Sequence, residues 1–230
     1  MTNTRHDPAV SSVLTDKQKE SIAKEVVLVV GLGGSLASPS RSLVALQTAL
    51  KGAAAAGADI ELLDLRRLDL PMYRPDLEPS ASVLSMARSL YRAQGLIWSS
   101  PVYNGTISGS FKNALNWLHL LGDWDPPYLT DTVVGLISTA GGTQGLQAVN
   151  TMEFVVRALR AMAIPLVVPV ARAQQALEAG TVADPMVEQQ LLTLGAEVAR
   201  VSSLFAHGER LEEECVRARQ AVSRDASVDG

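Results

Sequence analysis

The stretch that decides the fold is Val26–Ser42, VVLVVGLGGSLASPSRS, in which an apolar run gives way to a loop of glycines, serines and one arginine. The β-branched run Val26–Val30 predicts a strand that is buried on both faces of a parallel sheet. Gly31, Gly33 and Gly34 remove side chains where the backbone must turn and where a ligand can approach. Because a helical pattern follows, the stretch predicts a strand, an anion-binding loop and a helix in that order.

The polar side chains of this loop suit a phosphate group. Ser35, Ser38, Ser40 and Ser42 offer hydroxyl donors, and Arg41 offers a planar cationic fork. Arg41 is the only full positive charge of the loop, and we expect its guanidinium to face solvent when the site is empty. The alternative is that the loop is an ordinary strand-to-helix turn with a serine cap.

Two better-known nucleotide loops do not match this stretch. The dinucleotide fingerprint needs a small residue at its third glycine position, where this chain has Leu36. The P-loop needs a lysine before its serine or threonine, and no lysine occurs between Glu25 and Lys51. Both types of loop are therefore disfavoured.

Composition excludes several classes of protein. The 230 residues suffice for one α/β domain, and a net charge of −4 provides no basic surface for nucleic acid. No apolar run approaches the roughly 20 residues that span a bilayer, and the polar residues 1–25 hold no signal-type core. We therefore expect a soluble cytoplasmic protein with no membrane partner. A single cysteine and three scattered histidines predict neither an internal disulfide nor a metal site.

Strand and helix patterns alternate five times along the chain. The predicted strands are Val26–Val30, Asp59–Leu65, Gly95–Ser99, Val133–Thr139 and Pro165–Val170. The helices after them run from the first loop to Gly57, then over Ser82–Gln94, Ser108–Leu121, Gly145–Met162 and Asp184–Phe205. A long surface loop, Arg66–Ser82, follows the second strand. This alternation predicts an α/β three-layer sandwich around a five-stranded parallel sheet.

The predicted domain spans 26–205, between a polar N-terminal extension, 1–25, and a charged C-terminal tail, 206–230, that is either helical or disordered. Unusual loops follow strands one, three and four. In a doubly wound sheet of order 2-1-3-4-5 these strands are neighbours, so their loops meet at the carboxyl edge, where such folds bind ligands. The sequence therefore predicts a binding site built from the first loop, Pro101–Gly105 and Ala140–Gly145.

Four motifs carry a resemblance to a known family. They are Gly34-Ser35-x4-Ser40-Arg41-Ser42, Pro101-Val102-Tyr103-Asn104-Gly105, Ser108-Gly109-x-x-Lys112-Asn113-Ala114-Leu115 and Gly141-Gly142-Thr143. Over roughly residues 26–170 the chain resembles the NAD(P)H-dependent FMN reductases, which have a flavodoxin-like fold. It is similar to the reductases of two-component monooxygenases, and also to organoarsenical-resistance flavoproteins and related quinone reductases.

The resemblance implies a residue set for FMN. Its phosphate would be held by Ser35, Ser40, Arg41 and Ser42. Its ring would be lined by Pro101, Val102, Tyr103 and Asn104, and closed at the other edge by Gly141, Gly142 and Thr143. Tyr103 suits an amphipathic wall, although a loop aromatic that covers the sheet edge is the alternative. No catalytic acid or base is implied, because hydride chemistry belongs to the flavin.

Two positions depart from the family pattern. Many relatives carry an arginine where this chain has Ala37, which would leave most of the phosphate charge to Arg41. Asn116 replaces an aspartate before Trp117, so a carboxylate partner for Lys112 is missing. Lys112 is then either a solvated helix residue or a site residue.

The function implied is an FMN reductase that takes a hydride from NADPH or NADH and passes electrons to free flavin, quinone or another small acceptor. A flavin-dependent monooxygenase is a candidate partner, and Arg74 a candidate contact for the 2′-phosphate of a preferred NADPH. The alternatives are a flavodoxin-like electron carrier without its own NAD(P)H activity and a binding module that has lost the cofactor. We expect a homo-oligomer, because Leu68–Met72 and Trp117–Trp124 would otherwise expose apolar surface. The resemblance implies a homodimer or a homotetramer.

Overall fold

Five parallel strands and one short antiparallel strand form the sheet in the computed structural model, which describes residues 26–178 and 180–225. The strands are β1 (Leu28–Gly33), β2 (Asp59–Asp64), β3 (Gly95–Tyr103), β4 (Thr106–Ile107), β5 (Val133–Thr139) and β6 (Met162–Val170). Their order is β2-β1-β3-β5-β6, with β4 paired to the end of β3. The five parallel strands thus follow the predicted order 2-1-3-4-5.

Helices connect these strands. They are α1 (Arg41–Ala55), α2 (Leu65–Leu68), α3 (Ala81–Tyr91), α4 (Gly109–Trp117), α5 (Gly145–Ala158), α6 (Ala173–Ala176) and α7 (Pro185–Asp225), with a 3-10 helix at Leu118–Asp123. Residues 27–202 form one compact unit, and the described residues after it, 203–225, belong to a second unit and are helical. The predicted extension 1–25 and the last five residues of the predicted tail lie outside the described residues.

Helices α1 and α7 cover one face of the sheet, where glycines allow them to lie very close. A Cβ on Gly52 would lie 2.1 Å from the Leu192 carbonyl oxygen, and one on Gly195 would lie 1.8 Å from that of Ala49. Gly95 and Gly135 lie in the sheet directly beneath Val198. The two helices therefore contact each other through their backbones, as glycine permits.

The opposite face is covered by α3, α4 and α5 around a large apolar core. Trp98 of β3 is fully buried and meets Phe111 of α4 edge to face, with ring centroids 6.0 Å apart. Leu32, Leu96, Leu136, Met86 and Met152 are fully buried in the same cluster. Burial on both faces explains why the strands read as nearly continuous apolar runs.

Several predicted boundaries are wrong by a few residues. Ser80, not Ser82, caps α3, and the helix ends at Tyr91 rather than at Gln94. Helix α5 ends at Ala158, four residues before the predicted end, because the chain reverses at Arg160, which has a φ of 62°. The predicted helix Ser108–Leu121 becomes 3-10 after Trp117.

Other differences concern whole elements. The predicted loop Arg66–Ser82 begins with α2, whose first turn is capped by the Asp64 carboxylate. The closing helix does not end at Phe205 but continues to Asp225. Pro101, Val102 and Tyr103 extend β3 instead of lying in a loop, and β4 and α6 were not predicted. Among the described residues, no helix has both the length and the apolar character needed to cross a membrane.

Candidate functional site

The site lies at the carboxyl edge of the sheet, where β1, β3 and β5 are direct neighbours. The loop after β1 begins at Gly34, the β3–β4 hairpin turns at Asn104, and the loop after β5 begins at Ala140. All three loops that the sequence singled out thus meet at one edge. This is the position at which doubly wound folds bind ligands.

The loop after β1 is organised around the hydroxyl of Ser40. Its Oγ accepts hydrogen bonds from the backbone N–H of Ser35, at 2.9 Å, and of Leu43, at 3.2 Å. The Oγ atoms of Ser35 and Ser42 lie 3.3 and 3.2 Å from it. Three of the four residues predicted to hold a phosphate therefore form one hydroxyl cluster at the N-terminus of α1, with Ser40 as the N-cap.

Two glycines set the path of this loop. A Cβ on Gly33 would lie 2.2 Å from the carbonyl oxygen of Ser99 on β3, so only glycine fits between the two strands. Gly34 has a φ of 97°, and its N–H donates to that same carbonyl at 3.2 Å. The close approach and the left-handed turn at Gly34 both require glycine. They direct the chain from β1 over the end of β3.

Arg41 differs from the prediction in its surroundings. It is the first residue of α1 and is half-buried, and its Nε donates to the carbonyl of Leu177 at 3.1 Å. The expectation that this guanidinium faces solvent is therefore wrong, because a segment after β6 covers it. Its two Nη groups make no hydrogen bond or ion pair with the described residues, so their donors are free to bind an anion.

The second loop is the β3–β4 hairpin. Pro101 is buried and opposite Thr139 of β5, Val102 is half-buried, and Tyr103 is 50 % exposed. Asn104 and Gly105 form the turn with φ values of 49° and 83°. Positive φ at both central residues is the two-residue hairpin geometry that Asn-Gly favours. Tyr103 and Asn104 are thereby presented at the edge of the sheet, and Pro101 lies below them.

The third loop, after β5, leaves open space. Ala140 is buried, whereas Gly141, Gly142 and Thr143 are exposed. A Cβ added to either glycine would meet no atom within 4 Å. The start of the loop is anchored to the chain around β6: the Ala140 N–H donates to the Val170 carbonyl at 2.9 Å, and the Ala140 carbonyl accepts from the Ala173 N–H at 2.8 Å. The exposed side of the loop, at Gly141 and Gly142, can therefore accept a flat group in contact with the backbone.

A further segment, 171–178, reaches the site and was missed by sequence reasoning. The N–H of Arg172 donates to the Gly142 carbonyl at 2.8 Å, and the Leu177 carbonyl accepts from Arg41. The segment thus contacts both the first and the third loop. A signal for it existed: the fifth strand is parallel to the others, so the residues after Val170 must emerge at the same edge.

The long loop after β2 is anchored to α4. The Pro71 carbonyl accepts from Asn113 Nδ2 at 2.9 Å and from Trp117 Nε1 at 2.8 Å, and Asn113 Oδ1 accepts from the Tyr73 N–H at 2.7 Å. The sequence predicts that Trp117 contributes exposed apolar surface, but it is only 2 % exposed, so this expectation is wrong for Trp117. Asn113 and Trp117 of the family-like helix motif therefore position a loop.

Two other positively charged side chains, those of Arg74 and Lys112, already have hydrogen-bond partners within the protein. Arg74 donates through Nε to Asp76 at 3.2 Å, and this hydrogen bond lowers the pKa of the Asp76 carboxyl. Exposed Lys112 donates through Nζ to Asn116 Oδ1, so the amide takes the place of the missing carboxylate. Arg74 is thus paired with an acid next to it, which weakens the case for a 2′-phosphate contact.

The arrangement combines a hydroxyl cluster with a cation, an open glycine loop and a half-exposed tyrosine. The cluster and the Arg41 Nη donors suit a phosphate, and the glycine loop with the hairpin suits a flat ring that needs backbone N–H groups. These residues fit FMN. Among the described residues, no three histidine, cysteine, aspartate or glutamate side chains form a group that could hold a metal ion.

Comparison of sequences links the chain to known proteins. A family model described as NADPH-dependent FMN reductase matches residues 27–175. The NADPH-dependent FMN reductase ArsH of Rhizobium meliloti is 30 % identical over 148 residues, which cover 64 % of this chain and 60 % of that protein. The NADPH:quinone oxidoreductase of Arabidopsis thaliana is 30 % identical over 128 residues, 53 % of this chain and 62 % of that protein. The chain thus spans about 60 % of the length of these relatives.

Solved structures show the same fold. The apo form of the NADH:FMN oxidoreductase EMOB superimposes with a TM-score of 0.61 at 18 % identity, over 76 % of this chain and 90 % of that one. The flavoenzyme NAD(P)H:(acceptor) oxidoreductase FerB from Paracoccus denitrificans gives a TM-score of 0.60 at 21 % identity, over 76 % and 98 %. These likenesses confirm the flavodoxin-like fold. Because the family model covers well over half of its length, including all three loops of the site, the chain belongs to the NADPH-dependent FMN reductase family.

Proposed function

We propose that this protein is an NAD(P)H-dependent FMN oxidoreductase that delivers electrons to a small acceptor, either free flavin or a quinone. The observation that carries the proposal is the meeting of the serine–arginine loop, the hairpin and the open glycine loop at one edge of the sheet. Relatives named as FMN reductases and quinone oxidoreductases support it.

The proposal assigns each loop a task. Ser35, Ser40 and Ser42, with the Nη groups of Arg41, bind the FMN phosphate. Gly141, Gly142 and Thr143 meet the edge of the ring, and Tyr103 and Asn104 border it from the hairpin. Bound FMN supplies the hydride chemistry, so the residues are required to bind and orient rather than to transfer protons.

The residues around the ring leave room for a second flat molecule. Tyr103 is half exposed, and nothing among the described residues covers Gly141 and Gly142 within 4 Å of an added Cβ. A nicotinamide and then an acceptor can use such a space in turn. We infer that the acceptor is selected by size and planarity more than by specific polar contacts.

The test is oxidation of NADPH by the purified protein with and without added FMN. We expect flavin-dependent loss of NADPH absorbance, faster when a benzoquinone is supplied as acceptor than with oxygen alone. Protein that binds FMN yet oxidises neither NADPH nor NADH would indicate an electron carrier, and protein that binds no FMN would indicate a module without cofactor. Either result would overturn the proposal.

We also propose that the protein works in the cytoplasm as a homodimer or homotetramer, with 26–205 as its FMN-binding domain. Exposed apolar side chains support an interface: Phe154 is 72 % exposed and Leu146 is 55 % exposed, two turns apart on α5. Met72 of the long loop is 74 % exposed. Where reduced flavin is released, a flavin-dependent monooxygenase is a partner that would consume it.

A further inference from the structure

A cavity lies beside the proposed flavin site. It has a volume of about 430 Å³ and is lined by Thr143, Arg172, Gln175, Asp184 and three alanines. Thr143 also belongs to the loop that is proposed to meet the flavin, so the cavity and the proposed flavin site have this residue in common. The volume is at the lower end of the range for small-molecule sites and suits a nucleotide-sized group.

Arg172 gives this cavity its positive charge. Its side chain is exposed and makes no hydrogen bond or ion pair with the described residues. Its backbone has a φ of 46°, a conformation that non-glycine residues seldom adopt. Two backbone bonds hold the turn, from Arg172 N–H to the Gly142 carbonyl and from Ala173 N–H to the Ala140 carbonyl, both 2.8 Å. These bonds fix the backbone of Arg172 next to the site, at a position where glycine would be less strained.

The other polar groups of the cavity complement an anion that also carries hydroxyl groups. Thr143 and Gln175 can donate to phosphate oxygens or to a ring nitrogen. The Asp184 carboxylate accepts from the N–H groups of Met186, at 2.9 Å, and Val187, at 3.4 Å, through Oδ1. Its other oxygen accepts no hydrogen bond from the described residues and can accept from a ribose hydroxyl or an amino group. The cavity therefore combines one cation with neutral donors and one acceptor.

We propose that this cavity binds the phosphorylated adenosine half of the nicotinamide nucleotide, with Arg172 contacting its 2′-phosphate. The proposal rests on the proposed reductase function, because it names the site of the electron donor. Because the cavity includes Thr143, an adenosine bound there would lie next to the flavin site, and the nicotinamide half of the same nucleotide could reach the edge of the flavin. Arg172, rather than Arg74, then confers a preference for NADPH.

The direct test is calorimetric titration of the full-length protein with adenosine 2′,5′-bisphosphate, which carries no redox chemistry. Replacing Arg172 by Gln removes a charge-assisted contact, so the dissociation constant should rise roughly 10- to 150-fold. Arg172→Gly removes the same charge and relieves the positive φ, so it should fold at least as well and bind equally weakly. Arg88→Gln removes an exposed arginine on α3, a helix that bonds to β2 at the opposite end of the strand order from β6, and should leave binding unchanged.

Kinetics provide the second readout. Arg172→Gln should raise the KM for NADPH by a similar factor with little change in kcat, and it should not alter the KM for reduced nicotinamide mononucleotide, which lacks the adenosine half. Unchanged affinity for the bisphosphate in both Arg172 variants would overturn this subsite even if the protein oxidises NADPH. Binding through Arg172 without oxidation of either nucleotide would instead keep the subsite and overturn the reductase assignment.

Discussion

The hydroxyl oxygen of Ser40 has two roles: it caps α1, and we propose that it binds the FMN phosphate. Ser40→Ala removes the acceptor of the Ser35 and Leu43 N–H groups and the N-cap of α1, so we expect a loss of roughly 0.5–2 kcal/mol in the free energy of unfolding. Ser38→Ala is the matched control, because exposed Ser38 makes no side-chain hydrogen bond with the described residues. Urea denaturation of both variants provides the measurement. Equal stabilities of the two would contradict the role of Ser40.

Arg41 carries the sharpest binding prediction at the residue scale. Arg41→Ala removes a charge-assisted phosphate contact worth roughly 1.5–3 kcal/mol, so FMN affinity should fall about 10- to 150-fold. Riboflavin, which has no phosphate, should bind both proteins almost alike. Fluorescence titration with each flavin measures this, and an equal loss for both flavins would show that the loop is only a turn.

The same variant now has an expected structural cost. Since Arg41 is half-buried and donates to Leu177, its truncation should also lower the free energy of unfolding by about 0.5–1.5 kcal/mol. Sequence reasoning identified the residue and its chemistry from the composition of its loop. It could not find this contact, because Leu177 lies 136 positions away and only the path of the chain after β6 brings it there.

At the scale of elements, the crossing of α1 and α7 depends on glycine. Gly195→Ala would place a Cβ 1.8 Å from a backbone oxygen of α1, so the helices must separate, at a cost of roughly 1–3 kcal/mol or more. Gly208→Ala is the matched control in the same helix, since a Cβ there meets nothing within 4 Å. This second change should be neutral or stabilise by up to about 1 kcal/mol. A Gly195→Ala protein as stable as Gly208→Ala would contradict the close crossing.

The elements that the sequence predicted well are those that a local pattern defines. Val133–Thr139 matches β5 at both ends, because an apolar run is bounded by polar residues and glycines. β4 was missed although Asn104-Gly105 is a hairpin signal, since the strand is only two residues long. The end of α5 was misjudged because apolar residues continue into β6, and the turn at Arg160 has no glycine or proline to mark it.

For the whole molecule, assembly through α5 is the testable consequence of its exposed apolar side chains. Phe154→Glu places a charge where a partner surface is expected, so it should shift the protein from a multiple of 24.4 kDa towards the monomer mass. Gln190→Glu adds a charge at an exposed position on α7 and should leave the mass unchanged. Light scattering decides. A wild-type protein that is monomeric at micromolar concentration would sink the idea, and an unchanged mass for Phe154→Glu would exclude this face.

The central claim is that the edge where the three loops meet binds FMN and lets a nicotinamide nucleotide reduce it. The most direct measurement is anaerobic titration of the FMN-loaded protein with NADPH, followed by the absorbance of oxidised flavin. The account predicts loss of that absorbance with about one equivalent of nucleotide, and its return when a quinone or oxygen is admitted. Flavin that stays oxidised in excess NADPH and excess NADH, while remaining bound to the protein, would contradict it.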